Sequence, residues 1–281
     1  MRPDTLGVIG LGAMGGSLAW QAAGAGIARV IGYSPVPAEG AAALRAGAIT
    51  ELAADPRKVA RRADLLVLAA PPGATLRLLA ELADEIRGRG VLCTDVTSVK
   101  LPVVSRAQAL GLAAHFAGSH PLTGTEQSGF AAARSTLYRD ALVYVTPVSG
   151  GDRAAQEVAD FWAGVCGSAP VMLDAGDHDR MLAWTSHLAQ IVASGLAAAL
   201  ARSGPKAVSY GPGARDTTRL AGSSPEMWRD ILLLNREPVL AALDGLEDQL
   251  GELRRALAGG DARALTAWLK AGREWRRRVE T

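Results

Sequence analysis

Leu6-Gly7-Val8-Ile9-Gly10-Leu11-Gly12-Ala13-Met14-Gly15 opens the chain with a short apolar run that ends in glycines spaced as GxGxxG. A helical pattern follows from Ser17 to Ala25, and a second apolar run stands at Arg29-Val30-Ile31-Gly32-Tyr33. The spacing predicts a βαβ unit with the glycines at the turn from strand to helix. In that setting Gly10 permits the tight turn, Gly12 lets a pyrophosphate approach the backbone and Gly15 allows close packing of helix on strand. The free amides of the helix start then face the phosphates. Gly10, Leu11, Gly12, Ala13, Met14 and Gly15 are accordingly candidate dinucleotide-binding residues.

Working outward, further apolar runs occur at Leu65-Leu66-Val67-Leu68-Ala69, Val91-Leu92-Cys93-Thr94, Leu142-Val143-Tyr144-Val145 and Pro170-Val171-Met172-Leu173. Helix-length segments such as Ala74 to Arg87 separate them. Alternating strands and helices, with the strands apolar on both faces, predict an α/β fold with a Rossmann-type, doubly wound parallel sheet. After Asp174 the texture changes, and Asp177 to Leu200, Pro225 to Leu257 and Asp261 to Val279 read as helices. The expected organisation is a dinucleotide-binding domain at 1–174 and an all-helical substrate and dimerisation domain at 175–281. Leu232, Val239, Leu243, Leu246, Leu250, Leu253 and Leu257 recur at helical spacing, more than a short bundle needs, which points to a homodimer; packing within one chain is the other reading.

The end of the second strand usually carries Asp or Glu in an NAD site, where it accepts hydrogen bonds from the ribose hydroxyls. Here it is Ser34. No carboxylate at that position repels a 2′-phosphate, yet Pro35-Val36-Pro37 brings no arginine to attract one, so the choice between NADP and NAD tilts only slightly to NADP. Ala69-Ala70-Pro71-Pro72 follows another strand, and Ala70 and Pro71 are expected to border the cofactor through their backbone; a plain loop is the alternative.

Bulk properties exclude several classes. The chain has 281 residues, 49% hydrophobic and 21% charged, with a net charge of +2, a size that buries a full core. No apolar run reaches the ~20 residues that span a bilayer, and Met1-Arg2-Pro3-Asp4 leads into a strand and not a signal peptide, so the expected location is the cytoplasm. Cys93 and Cys166 stand in no metal-ligand pattern and read as buried thiols; no metal site is expected. Arg276-Arg277-Arg278 closes an amphipathic helix, and aromatic residues make up only 5%, which gives a nucleic-acid surface little support.

The chemistry lies downstream. Gly118-Ser119-His120-Pro121-Leu122-Thr123-Gly124-Thr125-Glu126 sets a lone imidazole among turn-forming and hydroxyl-bearing residues, and Thr94-Asp95-Val96-Thr97-Ser98-Val99-Lys100 follows a strand that brings Ser98 to the same edge of the sheet. Together with Ser186-His187-Leu188, Arg215-Asp216-Thr217-Thr218-Arg219-Leu220-Ala221 and Pro225-Glu226-Met227-Trp228-Arg229-Asp230, these motifs resemble the prephenate/arogenate dehydrogenase family of tyrosine biosynthesis. The resemblance spans both expected domains. It implies an oxidative decarboxylation of a cyclohexadienol with hydride transfer to NAD or NADP, in a homodimer.

By that resemblance His120 takes the proton from the ring hydroxyl, Ser98 hydrogen-bonds the same hydroxyl, and Arg219 holds the ring carboxylate with a fork that stays charged. Arg215, Trp228, His187 and Thr125 are the further substrate-side candidates. Read from the residues alone, other roles stay open: a salt bridge for Arg219 or Arg215, a core ring for Trp228 or His187, a helix cap for Ser98 and a turn residue for His120. His178 and His115 receive no role. The family often continues SHL with Pro-His, whereas this chain has Ala189-Gln190, so Gln190 puts a neutral amide where a titratable ring is usual and leaves prephenate and arogenate both open. With the last helix read as ending at Val279, no added regulatory domain is expected. Two other functions share part of this pattern. A β-hydroxyacid or 6-phosphogluconate-type dehydrogenase is expected to carry a lysine on the first helix of its second domain, and Asp177 to Leu200 has none; a dinucleotide-sensing protein without turnover need not combine Ser98, His120 and Arg219.

Overall fold

The computed structural model describes residues 1–124, 127–203 and 210–279. Strands β1 (Thr5–Ile9), β2 (Arg29–Tyr33), β3 (Glu51–Leu52), β4 (Leu65–Leu68), β5 (Leu92–Asp95), β6 (Phe116–Pro121), β7 (Leu142–Pro147) and β8 (Ala169–Met172) form one eight-stranded sheet. Its order is β3-β2-β1-β4-β5-β6-β7-β8. Because successive side chains alternate between faces, Leu6 and Val8 of β1 and Leu65 and Val67 of β4 enter one apolar layer, while Ile9, Leu66 and Leu68 enter the other.

Helices α1 (Ala13–Gly24), α2 (Pro37–Arg45) and α6 (Asp152–Cys166) cover the first face through residues such as Leu18, Ala43 and Trp162. On the second, α3 (Pro56–Ala60), α4 (Pro72–Arg89) and α5 (Leu101–Ala109) bring in Val59, Leu79 and Val103. The doubly wound α/β arrangement is therefore present. The order runs outward from β1 in both directions, so the chain reverses between β1 and β4, and the loops after these two strands flank the crevice where such sheets bind ligands.

The sheet departs from the all-parallel expectation at one place. β7 runs antiparallel to β6, with His120 opposite Tyr144 and Ser119 opposite Val145. The connection 122–141 holds a 3₁₀ turn at Phe130–Ala132 and no crossover helix among its described residues, so nothing returns the chain to the starting edge. His120 itself lies on a strand and not in a turn. Gly118, Ser119 and Pro121 interrupt the apolar run by which β6 would have been recognised. β8 is an edge strand with Val171 and Met172 about half exposed, unlike the strands buried on both faces.

From Ala175 onward the described chain is helical: α7 (Ala175–Leu182), a π turn (Ala183–His187), α8 (Leu188–Ser203), α9 (Pro212–Thr218), a 3₁₀ turn (Arg219–Gly222), α10 (Pro225–Leu234), α11 (Arg236–Ala258) and α12 (Ala262–Val279). The segment read as one helix from Pro225 to Leu257 breaks at Asn235, whose side chain is drawn inward to bond the Asp179 carbonyl at 2.8 Å. Val239 and Ala242 are buried, but Leu250 and Leu257 on α11 and Leu269 and Trp275 on α12 are exposed by half or more. Among the described residues no helix is long and apolar enough to cross a membrane. Cys93 and Cys166 are buried and unbridged, and burial pushes both thiols up from their ordinary range.

Candidate active site

The glycine turn fits a dinucleotide. Gly10 has φ +99°, and a Cβ there would strike the Ala69 carbonyl oxygen; a Cβ at Gly15 would strike that of Gly10. β1, β4 and α1 thus converge at a spacing only glycine allows. Over Gly12, by contrast, the space is open save for one carboxylate oxygen of Glu39 at 3.8 Å. Gly12 caps α1 without any side-chain bond to its first amides, which leaves those donors for phosphate oxygens. Leu11 is wholly buried and Ala13 nearly so, so neither side chain is open to the space above the turn. Met14 is half-buried, its carbonyl taken by Tyr138 Oη at 2.8 Å. Ser34 directly follows β2. Ala70 and Pro71 lead into α4, and the Ala70 carbonyl accepts from Thr75 Oγ1 at 3.0 Å.

One strand over, the catalytic candidates gather at the same sheet edge. Ser98 is half-buried in the loop after β5, and His120 is half-buried near the end of the adjacent β6. His120 Nδ1 stands 2.8 Å from His178 Nε2, and His178 Nδ1 stands 2.7 Å from Asp179 Oδ1. A carboxylate only accepts, so His178 donates from Nδ1 and, when neutral, receives at Nε2 the N–H of His120 Nδ1. His120 Nε2 is left with its lone pair free. Burial, then His178, Lys100 and His187 in turn, hold the His120 imidazole well below its ordinary value. Burial also lowers His178, with Asp179 opposing.

Asp179 sits on α7, yet its Oδ1 accepts from the Lys100 amide at 2.7 Å and its Oδ2 from the Leu101 amide at 2.9 Å. It therefore caps α5 and ties the helical part to the sheet. Below it, Lys100 and Asp95 form an ion pair with both side chains inaccessible to solvent. Lys100 Nζ also donates to the Ser119 carbonyl at 2.6 Å, and Asp95 Oδ1 accepts the Ser119 amide at 3.1 Å. The pair clamps the backbone immediately before His120. Sequence reading missed His178, Asp179, Lys100 and Asp95 as a unit; the adjacent His-Asp on one helix and the Asp and Lys bracketing Ser98 were the available signals.

A second cluster borders α8. His187 is fully buried, accepts at Nδ1 from Asn235 Nδ2 at 3.0 Å and meets the Trp228 ring edge-on at 5.9 Å. Burial lowers His187 to about 4. Gln190 is buried and donates from Nε2 to the Leu220 carbonyl at 2.9 Å, which holds the 3₁₀ turn bearing Arg219. Among the described residues three buried polar atoms here, His187 Nε2, Gln190 Oε1 and Trp228 Nε1, lack a protein partner. Such atoms are costly unless something else satisfies them. Arg215 and Arg219 are exposed on α9 and the following turn; Thr125 lies outside the described residues. His115 sits apart, beside Gly90. Among the described residues no group of His, Cys, Asp and Glu is arranged to hold a metal ion.

Residues 18–170 match the family model of the prephenate dehydrogenase nucleotide-binding domain, and residues 174–271 that of the prephenate dehydrogenase dimerization domain. The chain belongs to the prephenate dehydrogenase family. It is 33% identical over 279 residues to a prephenate dehydrogenase of Bacillus subtilis, which covers 97% of this chain and 75% of that one. The crystal structure of the Aquifex aeolicus prephenate dehydrogenase with hydroxyphenyl propionate and NAD+ superposes with a TM-score of 0.87 at 28% identity, covering 98% of each chain. For Synechocystis arogenate dehydrogenase the TM-score is 0.79 at 26% identity, over 98% of this chain and 99% of that one. Membership makes this chain a nicotinamide-dependent oxidoreductase and removes the non-catalytic reading. A 3-hydroxyisobutyrate dehydrogenase, at 17% identity and a TM-score of 0.54, shares the fold alone.

Proposed function

We propose that this protein oxidatively decarboxylates prephenate or arogenate, giving 4-hydroxyphenylpyruvate or tyrosine, with residues 1–174 binding the dinucleotide and 175–281 supplying substrate contacts and a homodimer interface. The observation that carries the reading is the chain His120, His178, Asp179, which leaves a neutral imidazole nitrogen bare at the ligand edge of the sheet.

Gly10, Gly12, Gly15 and the first amides of α1 hold the pyrophosphate, and Ala70 and Pro71 border the crevice. When bound, the dinucleotide supplies the acceptor for the hydride leaving ring C4. His120 Nε2 takes the hydroxyl proton from the same carbon as its C–O bond becomes a carbonyl, and Ser98 keeps that oxygen in line. A depressed imidazole is reliably neutral but a weak base. Asp179 corrects this, because the positive charge that develops on His120 spreads through His178 toward a carboxylate. Arg219 holds the ring carboxylate until its bond to the ring breaks; the bonding electrons pass into the new carbonyl, whose oxygen takes back the proton held by His120, carbon dioxide departs and the ring becomes aromatic. Trp228, His187, Gln190, Arg215 and Thr125 are assigned to the substrate side. The exposed leucines of α11 and Trp275 of α12 support a second copy of the chain as their cover.

The deciding experiment is a steady-state assay with prephenate and arogenate, each with NAD+ and NADP+, following reduced nicotinamide and carbon dioxide. Turnover in at least one combination is expected, and absence of turnover in all would sink the proposal. His120→Asn is expected to lower kcat by ~10²-fold or more with little change in dinucleotide affinity.

A further inference from the structure

A carboxylate stands at the dinucleotide crevice after all, and it comes from α2. Ser34 Oγ lies 3.2 Å from the Val36 amide and 2.8 Å from Glu39 Oε2. The amide can only donate, so the serine hydroxyl accepts there and gives its own proton to Glu39. Thus held, the other oxygen, Glu39 Oε1, lies 3.8 Å from the point a Cβ on Gly12 would occupy and 3.5 Å from the same point on Gly129. The carboxylate therefore hangs over the second glycine of the fingerprint, between the end of β2 and the start of α1. In this fold that is where the adenosine ribose is read, by an acid whose two oxygens accept from the 2′- and 3′-hydroxyls.

We infer that Glu39, oriented by Ser34, is the residue that selects NAD over its 2′-phosphorylated form. Pro37 at the start of α2 brings the chain round within three residues of Ser34, so a first-turn glutamate reaches the position that an aspartate at the strand end fills elsewhere. A vicinal diol offers two donors to one carboxylate. A 2′-phosphate offers none at neutral pH and brings like charge against it. This reverses the slight tilt to NADP drawn from Ser34 alone. It rests on the nicotinamide-dependent reading above, but not on which dienol is oxidised.

The test is calorimetric titration of the full-length protein with NAD+ and with NADP+, without dienol. The parent is expected to bind NAD+ more tightly, by about tenfold or more, and Glu39→Gln to narrow that ratio by about tenfold, chiefly by weakening NAD+. Ser34→Ala should narrow it less, in the same direction. Equal or tighter NADP+ binding by the parent overturns the inference, as does an unchanged ratio in Glu39→Gln, the result if Glu39 merely stabilises the first turn of α2. Dinucleotide binding with the expected ratio but no dienol turnover would sink the proposed function and leave this inference standing.

Discussion

His120 Nδ1 and His178 Nε2 lie 2.8 Å apart across the boundary between the sheet and the helical part, with the rings edge to face at 69°. His178 is fully buried and bonded to Asp179, so it cannot itself meet substrate; its action on the reaction passes through His120. Replacing His178 by Phe keeps a ring but removes the acceptor that fixes the His120 tautomer. We expect kcat to fall by ~10-fold or more with KM nearly unchanged. His178→Gln, which retains an acceptor, is expected to recover part of the loss. Parent-like kcat in His178→Phe would refute the positioning role.

The same geometry sets the pH dependence. The working form of His120 is neutral, and burial lowers its pKa below the ordinary 6.5. Activity is lost only as pH falls through that lowered value. A profile of kcat/KM is therefore expected to be flat from neutrality down past 6.5 and to decline on the acid side. An acid limb centred at or above 6.5 would contradict the assignment.

His187 carries a parallel consequence for stability. Its folded pKa is about 4 against an ordinary 6.5, so between these values the unfolded chain binds a proton that the folded chain refuses. Unfolding is then favoured as pH falls, and the contribution is complete above 6.5 and lost on the way down to about 4. Urea midpoints measured across this interval should decline, and His187→Gln should flatten the slope. His120 and His178 are lowered as well and act with the same sign, so some slope remains in the variant.

Lys100 and Asp95 give a fourth outcome. Both are inaccessible, and burial lowers the lysine while Asp95 opposes. Lys100→Met strands a carboxylate in the interior and releases the Ser119 carbonyl. The expected loss is about 3–5 kcal/mol in urea unfolding. Adding Asp95→Asn to Lys100→Met should restore part of it, since the uncompensated charge is then gone. A single variant as stable as the parent would show that the pair does not clamp β6.

What the sequence disclosed follows from range. The glycine turn was legible because Gly10, Gly12 and Gly15 act on atoms within one βαβ unit, and the all-helical part because its apolar spacing is local. His120 stood out as a motif, yet β6 did not, since its residues are small or polar where a strand is recognised by apolar runs. His178 and Asp179 were invisible because their partners, His120 and the amides of Lys100 and Leu101, lie more than fifty residues away in the chain. Glu39 was not legible for a different reason: an acid is expected at the strand end, where Ser34 stands, and the carboxylate that Ser34 bonds comes from the first turn of the next helix.

Gln190 offers a test of substrate choice. Its orientation is fixed because the Leu220 carbonyl can take only the amide N–H, which makes Oε1 the atom left buried without a partner. An amide oxygen accepts and cannot donate, so it suits an ammonium better than a keto group, which needs a donor. If this oxygen faces the substrate side chain, the parent favours arogenate, and Gln190→His, which puts a ring N–H there, shifts the ratio of kcat/KM values toward prephenate. One hydrogen bond gained or lost at a buried polar group corresponds to about tenfold or more in that ratio. The measurement is kcat/KM for both dienols in parent and variant under one set of conditions. An unchanged ratio would remove Gln190 from the substrate side and leave it as the residue that holds the turn carrying Arg219.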